Sequence, residues 1–146
     1  MYQPDDRLNV SWWLLRISFG LVPILAGLDK FLNLLADWPT YLNPAAQSVL
    51  PVEAATFMHI VGVIEIAAGL IVLSRWTLIG SYIVTAWLIA IALNLITTGH
   101  YFDIAVRDLV MAGAAYSLAQ LTAVREATTA RQSTVDSFHS SPARTA

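Results

Sequence analysis

Residues 54–73, AATFMHIVGVIEIAAGLIVL, are twenty consecutive positions holding only two ionisable side chains, His59 and Glu65. A helix needs about 20 mostly apolar residues to cross about 30 Å of hydrocarbon. Runs of comparable length recur at 12–35, 76–97 and 104–123, the one at 76–97 being the most uniformly apolar. Backbone polar groups in lipid must be satisfied within their own segment, so such runs are helices rather than strands. The sequence therefore predicts an all-α fold, a transmembrane four-helix bundle with spans at about 12–35, 52–73, 76–97 and 104–123. Pro23 is expected to kink the first span.

Composition agrees. The chain has 146 residues, 57% hydrophobic and 12% charged, with a mean hydropathy of +0.62; a soluble domain is about 45–50% apolar and about 25% charged. The net charge of −2 gives no basic surface for nucleic acid. With no cysteine, the chain itself cannot supply disulfides, thiol redox chemistry, thiolate metal sites or iron–sulfur clusters. The opening MYQPDDRLNV does not read as a signal peptide, so the first run is expected to stay as an anchor. Residues 1–11 are a short polar lead-in and 12–123 the membrane domain; 124–146 are expected to be a partly disordered polar tail. Residues 36–51, with three prolines, form a broken interfacial link with room for one short helix; Ser74 and Arg75 make a tight turn. Four spans put both termini on one side, with Arg7, Arg16, Arg75, Arg125, Arg131 and Arg144. The positive-inside rule makes that side cytoplasmic. Trp12, Trp13 and Trp76 fit the inner aromatic belt, and Trp38, Tyr41 and Tyr101 the outer one.

A charge near the bilayer centre costs about 2.5–3.5 kcal/mol on insertion scales, so intramembrane polar residues are expected to face inward and find partners. Arg16, about 7 Å from the inner end, and Glu65, about 13 Å from it, are the first expected pair. Gly62 and Gly69 share a helix face with Glu65 and would let another helix or a ligand approach. Lys30, Asn94, Arg107 and Asp108 form an outer layer drawn from three spans. Such a pocket could hold a small anion or the carbonyl oxygens of a quinone. The ligand-binding candidates are thus Arg16, Lys30, His59, Glu65, Asn94, Arg107 and Asp108, with Glu65 and Asp108 as a proton relay. Structural alternatives stand beside these: an ion pair holding the helices together, a snorkelling Lys30, Asp103 as the N-cap of the fourth span, and His59 as a packing residue. No spacing marks a metal or haem site or a phosphate loop.

These residues carry a family resemblance. "LLRISFGLVPILAGLDKF", "VGVIEIAAGLIVL" and "YFDIAVRDLVMAGAAYSLA", in that order on three spans, make residues 12–123 similar to the DoxX family of small bacterial four-helix membrane proteins. The resemblance implies roles among membrane subunits of a thiosulfate:quinone oxidoreductase, helpers of periplasmic redox-enzyme maturation, and complexes that handle oxidative stress. It also implies a four-helix core like that of vitamin K epoxide reductase, whose cysteines this chain lacks. The leading expectation is a quinone-interacting subunit of a membrane redox complex. It has no intrinsic cofactor and depends on a partner protein for its redox centre. The alternatives are a non-catalytic assembly or accessory subunit, alone or as a homo-oligomer, and a small-anion or proton transporter. The lipid bilayer is a partner in every case.

Overall fold

The structure is a computed structural model and describes residues 4–140. Its order is α1 (Pro4–Leu32), a 3-10 turn (Trp38–Tyr41), α2 (Pro44–Val49), α3 (Ala54–Leu73), α4 (Thr77–Thr97) and α5 (Phe102–Ser140). Among the described residues the fold is all-helical, with four long helices. Three of these, over Asp6–Leu32, Ala54–Leu73 and Thr77–Thr97, are long and apolar enough to cross a membrane. α5 is less apolar, because Arg107, Asp108 and Gln120 interrupt its hydrophobic run. Large apolar side chains such as Leu14, Leu25, Ile79 and Val110 stand exposed around the perimeter. A surface of that kind suits a lipid bilayer rather than water.

Glycines decide how α1 meets α3. A Cβ placed on Gly27 would come within 2.5 Å of the Gly62 carbonyl oxygen, and one on Gly62 within 2.6 Å of the Gly27 oxygen. Gly69 abuts the Gly20 carbonyl in the same way. The two helices therefore run antiparallel with backbones in contact at two levels, Gly20 against Gly69 and Gly27 against Gly62. The approach expected at Gly62 and Gly69 is made by α1. Its own glycines supply the other half, and any side chain would force the helices apart.

Alanine does the same for α4 and α5. Ala105, Ala112, Ala115, Leu118, Ala119 and Thr122 form one fully covered stripe along α5, at the three- and four-residue spacing of a helix face. The pairs α1/α3 and α4/α5 join mainly through α3 and α4, where Gly80 sits on the Val72 backbone. Two apolar clusters fill the interior. Trp12, Phe19, Val72, Val84 and Leu118 pack toward one end; Ala92, Leu95 and Ala105, covered by Tyr41 and Tyr101, pack toward the other.

Several elements differ from the sequence-based expectation. α1 ends at Leu32 rather than at about 35; Asn33 takes a left-handed conformation (φ 50°) suited to a helix C-terminus, and Pro23 lies inside the helix. The link after it holds both the 3-10 turn and α2, the latter capped by Asn43 accepting from the Ala45 amide. α5 begins at Phe102, so Asp103 lies in its first turn rather than capping it. The expected tail is helical as far as Ser140. After Gly113 no glycine or proline interrupts the chain up to that point, and Ala, Arg, Glu and Gln are good helix formers. Thr128, Thr129 and Thr134 turn their hydroxyls back to carbonyls four residues earlier, which keeps them compatible with the helix. Residues 141–146, including Arg144, lie outside the described residues.

Candidate functional site

Between the two apolar clusters lies a buried ion pair. Lys30 Nζ, from the last turn of α1, donates to Glu65 Oε2 on α3 at 2.6 Å, with both side chains less than a tenth exposed. The expected partner of Glu65 was Arg16, and the structure corrects that. In a helix each Cα–Cβ bond leans toward the N-terminus. Because α1 and α3 are antiparallel, Lys30 leans toward the level of Glu65 and Glu65 leans toward the level of Lys30. Arg16 leans toward the α1 N-terminus as Lys30 does, but it starts beyond the level of Glu65, so the same lean carries it away from Glu65 to the C-terminal end of α3. There its Nε donates to the Val72 carbonyl at 3.2 Å, and its Nη2 to those of Leu73 and Ser74, both at 2.7 Å. The last carbonyls of a helix have no intrahelical donor and carry partial negative charge, so a guanidinium there is doubly favourable. Thr77 Oγ1 donates to the Val72 and Ser74 carbonyls as well.

Three residues outside the sequence-based candidate list complete the surroundings of the pair. Lys30 Nζ stands 3.7 Å from the centre of the Trp38 ring. Trp38 Nε1 donates to Asp29 Oδ2 at 2.8 Å, and Asp29 also accepts from the Leu34 and Leu35 amides. Asp29 thereby fixes the chain leaving α1 and holds Trp38 over the ammonium. Trp87 Nε1, from α4, reaches Glu65 Oε1 at 3.5 Å, the outer limit of a hydrogen bond. Asp29 could be identified as a buried carboxylate from its position, whereas Trp38 read only as a belt residue. Nothing in the sequence places an interfacial tryptophan on a lysine eight residues earlier.

The outer layer is only partly assembled. Asp108 occupies one position of the covered α5 stripe and is 8% exposed. Arg107 is not in a pocket: its side chain is 70% exposed and its Nε is 3.7 Å from Asp108 Oδ1, too long for a hydrogen bond. Asn94 serves the link between α1 and α3, donating to the Tyr41 carbonyl at 2.9 Å and accepting from the Asn43 amide at 3.4 Å. His59 is exposed and stacks on Phe31 with ring centres 4.8 Å apart. Lys30 does not snorkel; at 4% exposure it is among the most covered polar residues of the chain. Lys30 and Glu65 thus meet from two helices and Asp108 is buried on a third, while Arg16, His59, Asn94 and Arg107 do not join the pair.

The site is closed on itself. Among the described residues no fully enclosed side-chain nitrogen or oxygen lacks a hydrogen-bond partner, while Asp108, 8% exposed, has Arg107 Nε no nearer than 3.7 Å. Two open grooves lie elsewhere, one where the α3–α4 turn meets α1 and α5, another on α5 beyond residue 123. No family model, curated protein or solved structure matches the chain.

Proposed function

We propose that this chain is a non-catalytic accessory subunit of a membrane complex, of the kind its DoxX resemblance implies, with the Lys30–Glu65 pair fixing α1 against α3. One observation carries this reading: the buried ammonium is already shared between Glu65 and the Trp38 ring, so the pair is satisfied by the chain itself. In this reading residues 104–123 of α5 cross the bilayer beside α4, against which they pack. Both termini face the cytoplasm of a bacterial inner membrane. That orientation is supported by Arg7, Arg16, Arg75, Arg125 and Arg131, which belong to the end where Trp12 bonds Thr122 and Arg125 bonds Asn9.

A second reading rests on Asp108. Asp108 is 8% exposed, and its partner among the described residues is the exposed Arg107 at 3.7 Å, so it is not locked into the fold as Glu65 is. A proton-exchanging contact for a quinone, with a partner protein supplying electrons, would use that property.

Charge-removal variants of the full chain in detergent separate the two. Under the structural reading, Lys30→Met or Glu65→Gln alone loses about 3–5 kcal/mol, and the double variant Lys30→Met/Glu65→Gln regains most of it. Asp108→Asn changes little else. Folded, fully stable Glu65→Gln protein that has lost a copurifying quinone present in the wild type would overturn the structural reading in favour of the second.

A further inference from the structure

Where the α3–α4 turn meets α1 and the C-terminal half of α5 there is a groove of about 470 Å³, remote from the ion pair. Three arginines from three elements line it: Arg16 of α1, Arg75 of the turn and Arg125 of α5. Among the described residues no carboxylate oxygen lies within 4.0 Å of any of these guanidinium groups. Glu126 is the one acidic residue in the lining, so the groove carries an excess of positive charge.

The groove is also built rather than incidental. Trp12 is its wall. The indole lies between two guanidinium groups, Arg125 at 4.3 Å and Arg16 at 4.9 Å from the ring. Its Nε1 donates to the buried Thr122 hydroxyl at 2.8 Å. Arg125 is further held by donating to Asn9 Oδ1 at 2.6 Å, and Arg16 by the three carbonyls of the α3 terminus. Two cations are thus pre-positioned, while Arg75, touching only the Trp76 ring at 5.2 Å, is free to close on an occupant. Ser74, Thr129 and Ser133 also line it, but their hydroxyls already donate to the Ile71, Arg125 and Ala130 carbonyls, so the donors for an occupant are the guanidinium groups.

We propose that this groove binds the phosphate of an anionic phospholipid headgroup. Convergent guanidinium groups are the donor set a phosphodiester needs. The position selects a lipid over a soluble anion, and here the inference rests on α1, α3 and α4 crossing the membrane. The groove sits at the ends of those helices, at headgroup level, and the exposed Leu14, Ile17 and Ile79 offer apolar flanks for acyl chains just below. Each arginine near such a surface contributes about a fivefold gain in affinity for anionic lipid.

The test uses the full chain purified in micelles containing equal phosphatidylglycerol and phosphatidylcholine, with retained lipid counted by native mass spectrometry. Wild-type protein is expected to retain phosphatidylglycerol preferentially. Arg75→Gln should weaken that retention about fivefold, whereas Arg131→Gln, the same charge change on α5 outside this groove, should leave it unaltered. Both arginines are exposed, and circular dichroism checks that each variant keeps its helices. Equal retention of the two lipids, or an equal loss in Arg131→Gln, overturns the site. Displacement of phosphatidylglycerol by inorganic phosphate at matching concentration overturns the lipid assignment in favour of a soluble anion. Recovery of the chain in the membrane fraction is measured separately, so a failure of membrane residence is not mistaken for failure of the groove.

Discussion

At the scale of single residues, direction matters more than depth. Arg16 and Glu65 lie at compatible depths, yet on antiparallel helices their side chains project away from each other, and Lys30 takes the place Arg16 was expected to fill. A double-mutant cycle tests this. Lys30→Met and Glu65→Gln should couple strongly, whereas Arg16→Met and Glu65→Gln should add within about 0.5 kcal/mol, because they share no partner. Arg16→Met alone should still cost about 1.5–3 kcal/mol, the loss of charged hydrogen bonds to the carbonyls ending α3. Thermal unfolding of the purified chain in detergent reads both. The residues that failed to join the site failed for local reasons. His59 found an aromatic face at Phe31, and Asn94 found the backbone of the preceding link.

At the scale of elements, each helix pair is closed by small residues. Gly27 and Gly62 bring backbone to backbone, so Gly62→Val pushes a methyl into the Gly27 carbonyl, an obstacle that no rotamer change removes. Overpacking of this kind costs about 1–3 kcal/mol. Gly113→Val, where an added Cβ meets nothing within 4 Å, should be nearly neutral. Comparing the melting temperatures of the two variants isolates packing from the intrinsic helix preference of valine. The seven-residue spacing of Gly20 and Gly27, matched by that of Gly62 and Gly69, is visible in the sequence. Its meaning appears only when the two stretches are set antiparallel. The helical course of α5 beyond 123 was equally within reach: the stretch is polar but contains no breaker as far as Ser140, and polarity by itself does not melt a helix.

At the scale of the molecule, the two pairs α1/α3 and α4/α5 are joined through α3 against α4 and, near one end, through Trp12 against Thr122. Trp12→Phe keeps most of the apolar bulk but leaves Thr122 without its indole donor and removes the larger ring face that both arginines share. Loosening of α5 from α1, read as faster amide exchange in α5 near residue 122 than near residue 105, is the expected outcome. If the Lys30–Glu65 pair is a clamp rather than a reaction centre, that change should leave exchange around Glu65 unaltered, since the two lie toward different ends of the structure.

The runs of apolar residues by themselves determined four long helices, because hydrocarbon admits few other ways to satisfy a backbone, while the bounds of α1 and the extension of α5 to Ser140 lay outside those runs. They also required that Lys30, Glu65 and Asp108 be buried against something polar. Which cation would meet Glu65 was decided only by tertiary structure. The outcome depends on the relative direction of two helices, on the glycines that set their register, and on a tryptophan brought back by the link between them. Those are relations between distant segments, and no local pattern in the chain encodes them.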